Sequence, residues 1–178
     1  ELPIIMLAHN VQDGVQLQDG LSSSFIDNTY IWCCDSNLLL AIVKNVEDRR
    51  NVDFDTQKAM VRVILYVEDS PVNRSQVLPI LYNEVVEQTH AVLDEGLNDQ
   101  HRLLKMRARP KILTAGSYEE AIELFTRYRH NIYALLTDAR FSKDGVVIGD
   151  AGIQLIEEVR KQVPDLPVLM LSTDSANE

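Results

Sequence analysis

The run VRVILYVEDSP, residues 61–71, decides the fold that we expect for this chain. Its apolar and β-branched residues predict a buried strand, which ends in two adjacent carboxylates, Glu68 and Asp69. One interpretation is that these acids cap the following helix, because acids favour a helix N-terminus. The other is that two acids at the end of a buried strand form part of a site that holds a cation.

Composition excludes several classes of function. The chain has 178 residues, 46% of them hydrophobic, which is enough to bury a core. Its net charge of −10 disfavours binding to nucleic acid or to an anionic membrane surface. No apolar run approaches a membrane span of about 20 residues, and the first residues do not show the basic-then-apolar order of a signal peptide, so we expect a cytoplasmic location. The adjacent Cys33 and Cys34 are expected to be packed strand residues.

Apolar strand-like runs alternate with helix-like segments along the chain. Continuous apolar strands separated by amphipathic helices predict an α/β fold with a doubly wound parallel sheet. LPIIMLAHN at residues 2–10 is repeated as LPVLMLSTD at residues 166–174. This echo predicts two related units, residues 1–50 and 61–178, separated by a polar linker at residues 51–60.

The carboxylates are expected to meet at one edge of the sheet. Glu68 and Asp69 end one strand, Asp138 ends the run IYALLTD, and Ser172 ends the run LPVLMLS. Ligands of open parallel sheets gather outside the carboxyl ends of the strands, where the strand order reverses. Three acids brought together there repel each other, and Mg²⁺ is the cation that best suits a few carboxylates and a phosphate. This arrangement is typical of phosphoryl transfer to an aspartate.

The order of these motifs resembles the receiver domains of two-component response regulators, which have a flavodoxin-like fold. ILYVEDSPVNR resembles the first receiver strand, ALLTDARF the third, and DAGIQLIEEVRKQVPDLPVLMLS the next helix and fourth strand. The resemblance implies that Glu68, Asp69 and Asp138 bind Mg²⁺ together with the backbone carbonyl of Arg140. It also implies that Asp138 accepts a phosphoryl group and that Ser172 is the switch hydroxyl.

The first 50 residues resemble the C-terminal half of a receiver, with departures where the chemistry would be. Ala8 stands at the hydroxyl position, and Cys33 and Cys34 stand where receivers carry lysine and proline, while Tyr30 fits the aromatic switch position. Alanine donates no hydrogen bond, and a thiol does not supply the charge of lysine. This unit resembles a degenerate receiver.

The second unit departs from the pattern in two places. A lengthened loop follows Asp138, and residues 73–109 are about twice what one crossover helix needs. The long segment is expected to form an extended helix or helical hairpin suited to docking or dimerisation, or a longer helix packed on its own sheet. The run LPILYNEVVEQTHAVLDEGLNDQHRLLKMRARPKIL, residues 78–113, is also similar to receiver-like modules of phosphoenolpyruvate synthase-like bacterial proteins.

Within residues 61–178, the resemblance leaves the last strand and helix of a receiver without a counterpart. We therefore expect residues 29–50 to complete its sheet, either in permuted order within the chain or between two chains as a strand-swapped dimer.

Three functions remain open from the sequence. The first is a two-component receiver that accepts a phosphoryl group on Asp138 from a histidine kinase or phosphotransfer protein and signals to an effector domain of its parent protein. The second is a pseudo-receiver that is never phosphorylated and acts as a docking module. The third is a magnesium phosphohydrolase, which is disfavoured because Arg140 stands where a general base would be needed. In the first two the chain is not an enzyme, beyond self-phosphorylation from a small phosphodonor.

Overall fold

The computed structural model describes residues 3–10, 26–93 and 109–172. The elements in these ranges are, in chain order, β1 (Ile5–Ala8), β2 (Asn28–Ile31), α1 (Asn37–Ala59), β3 (Val63–Val67), α2 (Pro71–Leu93), β4 (Lys111–Ala115), α3 (Tyr118–Tyr128), β5 (Ile132–Asp138), β6 (Phe141–Lys143), β7 (Val146–Ile148), α4 (Ala151–Gln162) and β8 (Val168–Leu171).

The centre of the fold is a parallel sheet of four strands in the order β4, β3, β5, β8. The chain runs outward from β3 to β4 and then returns past β3 to β5 and β8, so the strand order reverses beside β3. Every residue of β3 and β4 is buried, because the sheet is covered on both faces. The α/β class with a parallel central sheet is confirmed.

Two apolar clusters cover the two faces of this sheet. On one face, Val63, Leu65 and Val67 of β3 pack against α3 and α4, with Phe125 and Leu155 among the buried residues. On the other face, Ile64 and Tyr66 pack against α1 and α2 in a cluster that includes Tyr30, Leu38, Leu78 and Tyr82. This division follows from the strand geometry, since successive side chains of a strand point to opposite faces.

Strands β1 and β2 form a separate parallel pair and do not join the four-stranded sheet. The expectation that residues 29–50 complete that sheet in permuted order within the chain is therefore wrong. The outer edge of β2 is held by α2 instead, because the Ile31 N–H donates to Ser75 Oγ at 2.8 Å and Arg74 donates to Asn28 Oδ1 at 2.7 Å. Completion between two chains stays a prediction.

Helix α1 is longer than its apolar pattern indicates. It runs without a break through residues 51–59, so the prediction that this stretch is a linker is wrong for its local structure. The buried face of the helix includes the polar residues Asn45, Asp48 and Thr56. Because these buried positions are not apolar, the spacing of apolar residues alone does not reveal the full length of the helix.

The buried polar residues of α1 cover the open edge of β4. Asp48 accepts hydrogen bonds from the Ile112 N–H at 3.0 Å and from Arg109 Nη2 at 2.6 Å, and Asn45 Nδ2 donates to the Ile112 carbonyl at 3.0 Å. Tyr82 of α2 donates to the same aspartate at 2.9 Å. The helix thereby satisfies backbone groups that an edge strand would otherwise expose.

Two further expectations are settled in part or corrected. The helix expected within residues 73–109 is confirmed as α2 up to Leu93, and residues 94–108 of that segment lie outside the described residues. Cys33 and Cys34 are exposed and follow the end of β2, so the prediction of packed strand residues is wrong. No helix in the described ranges is long and apolar enough to cross a membrane.

Candidate functional site

Glu68, Asp69 and Asp138 lie together at the carboxyl ends of two neighbouring strands. Val67, the last residue of β3, is in register with Thr137 of β5, so Glu68 and Asp138 are the next residues on adjacent parallel strands. One carboxylate oxygen from each of the three acids lies within 4.8 Å of the others. The sequence therefore predicted correctly which acids meet. The position is also the one where the strand order reverses.

Two of the three acids in this cluster, Glu68 and Asp138, are largely removed from water. Glu68 is 3% exposed and Asp138 is 8% exposed, while Asp69 is partly buried. Glu68 Oε1 accepts from the Ser70 N–H at 2.9 Å, and Asp138 Oδ1 accepts from the Ala139 N–H at 2.8 Å. Each carboxylate thus has a backbone donor that orients it, and each retains a second oxygen.

Burial and the charges of neighbouring acids raise the pKa values of Glu68 and Asp69. Burial raises the pKa of Glu68 to about 7, and the negative charge of Asp138 adds to the rise. Burial also raises the pKa of Asp69, against the opposing effect of a hydrogen bond from the Ser142 N–H. Carboxylates with raised pKa values gain from any cation that compensates their charge.

Among the described residues, no ion pair involves Glu68, Asp69 or Asp138. Asp48 gives the contrast, because this fully buried acid is paired with Arg109 at 2.6 Å and with Lys111 at 3.6 Å. The protein compensates its structural buried acid with basic side chains. The acid cluster has no close ion pair of this kind among the described residues, and the charge of Arg74 lowers the pKa of Asp69 less than burial raises it. A set of three hard oxygen ligands therefore suits Mg²⁺.

The interpretation that Glu68 and Asp69 only cap α2 is weakened by the contacts at the start of that helix. Ser70 performs part of the capping, since its Oγ accepts from the Asn73 N–H at 3.4 Å. The Asp69 side chain does not bond to α2 and instead accepts from the Ser142 N–H at 3.1 Å, across the site. Glu68 does bond to one backbone N–H before the helix, so it combines both roles.

The turn after Asp138 is fixed by a close approach of α4. A Cβ atom at Gly152 would overlap the main-chain oxygen of Asp138 and would lie 3.1 Å from Ala139 Cα. The Gly152 N–H donates to the Ala139 carbonyl at 3.1 Å, which ties the first turn of α4 to the end of β5. Glycine is therefore required here for close packing, and it sets the position of Asp138.

The lengthened loop after Asp138 contains a hairpin, β6–β7, that reaches the site. Its turn residues Asp144 and Gly145 have φ angles of 53° and 76°, which an Asp-Gly turn of a tight hairpin adopts readily. Ser142 on β6 is a site residue that the sequence analysis missed. The Asp-Gly pair between short β-prone runs was the signal that could have revealed the hairpin.

The two remaining predicted residues lie at the same edge of the sheet. Ser172 directly follows Leu171 of β8, which is in register with Asp138, and it is exposed. Arg140 lies in the short connection between β5 and β6 and is also exposed. Their roles as switch hydroxyl and carbonyl ligand stay predictions.

Comparison with family models, with curated proteins and with solved structures found no match for this chain. The interpretation of the site therefore rests on its own geometry.

Proposed function

We propose that the chain is a receiver-like signalling module in which Asp138 accepts a phosphoryl group in the presence of Mg²⁺. One observation carries this proposal. Three carboxylates from adjacent parallel strands converge within 4.8 Å, at the strand-order reversal, without an ion-pair partner among the described residues.

The strand order supports a doubly wound, receiver-like version of the α/β fold. Counted within residues 61–178, the sheet order β4, β3, β5, β8 is 2-1-3-4. This agrees with the first four strands of the flavodoxin-like order 2-1-3-4-5, whose ligands bind at the switch point. Helices α2, α3 and α4 follow strands one, two and three of this series, as alternating βα units require.

The residues of the site divide the chemistry between them. Glu68, Asp69, Asp138 and the carbonyl of Arg140 would hold Mg²⁺, which when bound screens the negative charge of the acceptor and of the phosphoryl group. Asp138 Oδ1 is oriented by the Ala139 N–H, and the other carboxylate oxygen has no hydrogen-bond partner among the described residues. That oxygen attacks phosphorus, a P–O bond forms, and the bond from phosphorus to the donor breaks.

Ser172 is the proposed hydroxyl that responds to the new charge. It follows the residue paired with Asp138 on the neighbouring strand, so it lies at the same rim as the acceptor. A phosphoryl group adds negative charge and acceptor oxygens, which favour a hydroxyl that moves toward them. The proposed donor is a histidine kinase or a phosphotransfer protein, and the proposed reader is an effector domain of the parent protein.

The alternative is a pseudo-receiver that docks partners without phosphorylation. The first unit favours this function, because Ala8, Cys33 and Cys34 occupy the positions that would carry the hydroxyl, lysine and proline. A homodimer formed through residues 73–109 or by strand swapping would be one form of such docking.

Intact-mass spectrometry after incubation with Mg²⁺ and acetyl phosphate tests the proposal. We expect one phosphoryl adduct on the natural chain and none on Asp138→Asn. Asp165→Asn is the matched control, because it removes the same charge from an exposed aspartate in the turn after α4, and it should retain the adduct. An adduct on Asp138→Asn, or no adduct on the natural chain when Mg²⁺ binds, would refute the acceptor role of Asp138.

A further inference from the structure

A cavity separate from the acid cluster lies between the β1–β2 pair, α1 and the carboxyl end of β4. Its volume is about 640 Å³, within the range of roughly 300–1,000 Å³ that is typical of small-molecule sites. Part of the wall is apolar and is formed by Ile4 and Ile5, at and just before the start of β1. The charged part comes from Arg49, Arg50 and Arg74, with two acids.

Arg74 is a buried cation that forms no ion pair among the described residues, although it lies near enough to Asp69 to lower the pKa of that acid. Its side chain belongs to α2 and the residue is 8% exposed. Nη1 donates to Asn28 Oδ1 at 2.7 Å and Nη2 donates to the Asp69 carbonyl at 3.3 Å, and both acceptors are neutral groups. The buried Nε has no hydrogen-bond partner among the described residues. Burying a guanidinium with only neutral acceptors is costly, and an anion beside it would remove much of that cost.

The two acids in the wall are already engaged. Asp27 Oδ2 accepts from the Ile4 N–H at 2.7 Å. Glu120 forms an ion pair with Arg49, and its Oε2 accepts from the Gly116 N–H at 2.8 Å.

Arg50 adds a second uncompensated charge to the same wall. It is exposed and has no ion-pair partner among the described residues. The cavity therefore presents two arginines, one buried and one accessible, that form no ion pair within the part of the chain that the structure describes. In a chain with a net charge of −10, such a concentration of positive charge favours an anionic ligand.

We propose that this cavity binds a small phosphate monoester. Two arginines without ion pairs match a charge of about −2 on a phosphate monoester, and guanidinium groups recognise phosphate oxygens through several directed hydrogen bonds. Arg74 is the buried anchor and Arg50 is the outer contact. The apolar side chains of Ile4 and Ile5 contact the organic part of the ligand. This proposal stands independently of phosphorylation at Asp138.

A titration of the full chain with phenyl phosphate tests the proposal. Binding is monitored by ¹⁵N–¹H NMR in a buffer that contains EDTA and no divalent cations. Removing metal prevents the phosphate from binding through Mg²⁺ at the acid cluster. We expect saturable shifts at residues of the cavity wall, weaker binding of inorganic phosphate and of benzoate, and no binding of phenol. If phenol bound as tightly as phenyl phosphate, the site would not be one for an anion. If benzoate bound more tightly than phenyl phosphate, the ligand class would not be a phosphate monoester.

Variants locate the bound ligand. Arg50→Gln changes an exposed side chain and should weaken phenyl phosphate binding at least about fivefold, since a hydrogen bond to a charged group is lost. Arg160→Gln, an exposed arginine near the end of α4, is the matched control and should bind as the natural chain does. Arg74→Gln should weaken phenyl phosphate binding further, provided that near-UV circular dichroism shows that this variant folds. Asp138→Asn should bind phenyl phosphate as the natural chain does. Equal binding by Arg50→Gln and Arg160→Gln, or loss of binding in Asp138→Asn, would overturn the proposal.

Discussion

Glu68→Gln is predicted to stabilise the protein in the absence of metal while it abolishes cation binding. The substitution keeps the shape of the side chain and leaves Oε1 able to accept from the Ser70 N–H. It removes a charge from a residue that is 3% exposed and close to Asp138. A carboxylate that serves as a metal ligand is expected to cost stability when the metal is absent, whereas a structural cap is expected to contribute stability.

The magnitude follows from the pKa of Glu68, which is raised from 4.5 to about 7. The proton therefore binds more tightly in the folded than in the unfolded state, so the ionised form costs the folded state about 2–3 kcal/mol above pH 7. This cost grows as the pH rises from the pKa of Glu68 in the unfolded chain, 4.5, to its pKa in the folded protein, about 7. Below the pKa of the unfolded chain the cost is small. Glutamine carries no such cost at any pH in this window.

Urea unfolding in EDTA, followed by the fluorescence of Trp32, measures the effect at about pH 8 and about pH 5. We expect Glu68→Gln to be about 2 kcal/mol more stable than the natural chain at the higher pH, with most of the difference gone at the lower pH. Added Mg²⁺ should then stabilise the natural chain but not the variant. A variant that is less stable at the higher pH without metal would refute this reasoning and would assign Glu68 a purely structural role.

Four further outcomes are expected. Gly152→Ala should lower the free energy of unfolding by about 1–2 kcal/mol, because the added Cβ overlaps the Asp138 backbone. Gly149→Ala should be tolerated, because nothing lies within 4 Å of an added Cβ there. Equal losses of stability in the two variants would contradict the close approach of α4 to Asp138. Asp48→Ala should cost about 3–5 kcal/mol in urea unfolding, since it leaves buried Arg109 with only the longer ion pair to Glu47 at 3.9 Å. A cost below about 1 kcal/mol would contradict the role of the Asp48–Arg109 pair. Tyr66→Phe should be neutral or up to about 1 kcal/mol stabilising, because the buried Tyr66 hydroxyl has no partner among the described residues; a clear loss of stability would reveal one. Mg²⁺ affinity by calorimetry should fall up to about tenfold per pH unit below about pH 7, where the proton on Glu68 competes, and a flat profile would exclude Glu68 as a ligand.

The sheet and its acids were predictable because their signals are local. The continuous apolar run before Glu68 predicts a strand buried on both faces, and the alternation with amphipathic helices predicts a parallel sheet. Parallel strands place their carboxyl ends at one edge, so the meeting of Glu68, Asp69 and Asp138 follows from the topology. The cap of α3 is equally local, because Ser117 and Glu120 have the S-x-x-E spacing of a capping box, and Ser117 Oγ accepts from the Glu120 N–H at 3.2 Å.

The features that the sequence analysis missed depend on tertiary partners. The second half of α1 is held by polar side chains such as Asp48, whose partners lie 34 to 64 residues away, on α2, on β4 and just before β4. No pattern of apolar residues reveals such contacts. Strand β2 lies outside the main sheet, and its free edge contacts Ser75 of α2, a contact that also depends on tertiary packing. Ser142 reaches Asp69 only through the hairpin that follows Asp138.

The most direct test of the central claim is a crystal structure of the natural chain grown with Mn²⁺ in place of Mg²⁺, with an anomalous difference map. The account predicts one strong peak between the carboxylates of Glu68, Asp69 and Asp138, at a direct bonding distance on the order of 2 Å from carboxylate oxygens. The same crystals of Asp138→Asn should show a weak peak or none. An ordered acid cluster without a peak at saturating Mn²⁺ would contradict the claim that these acids form a cation site.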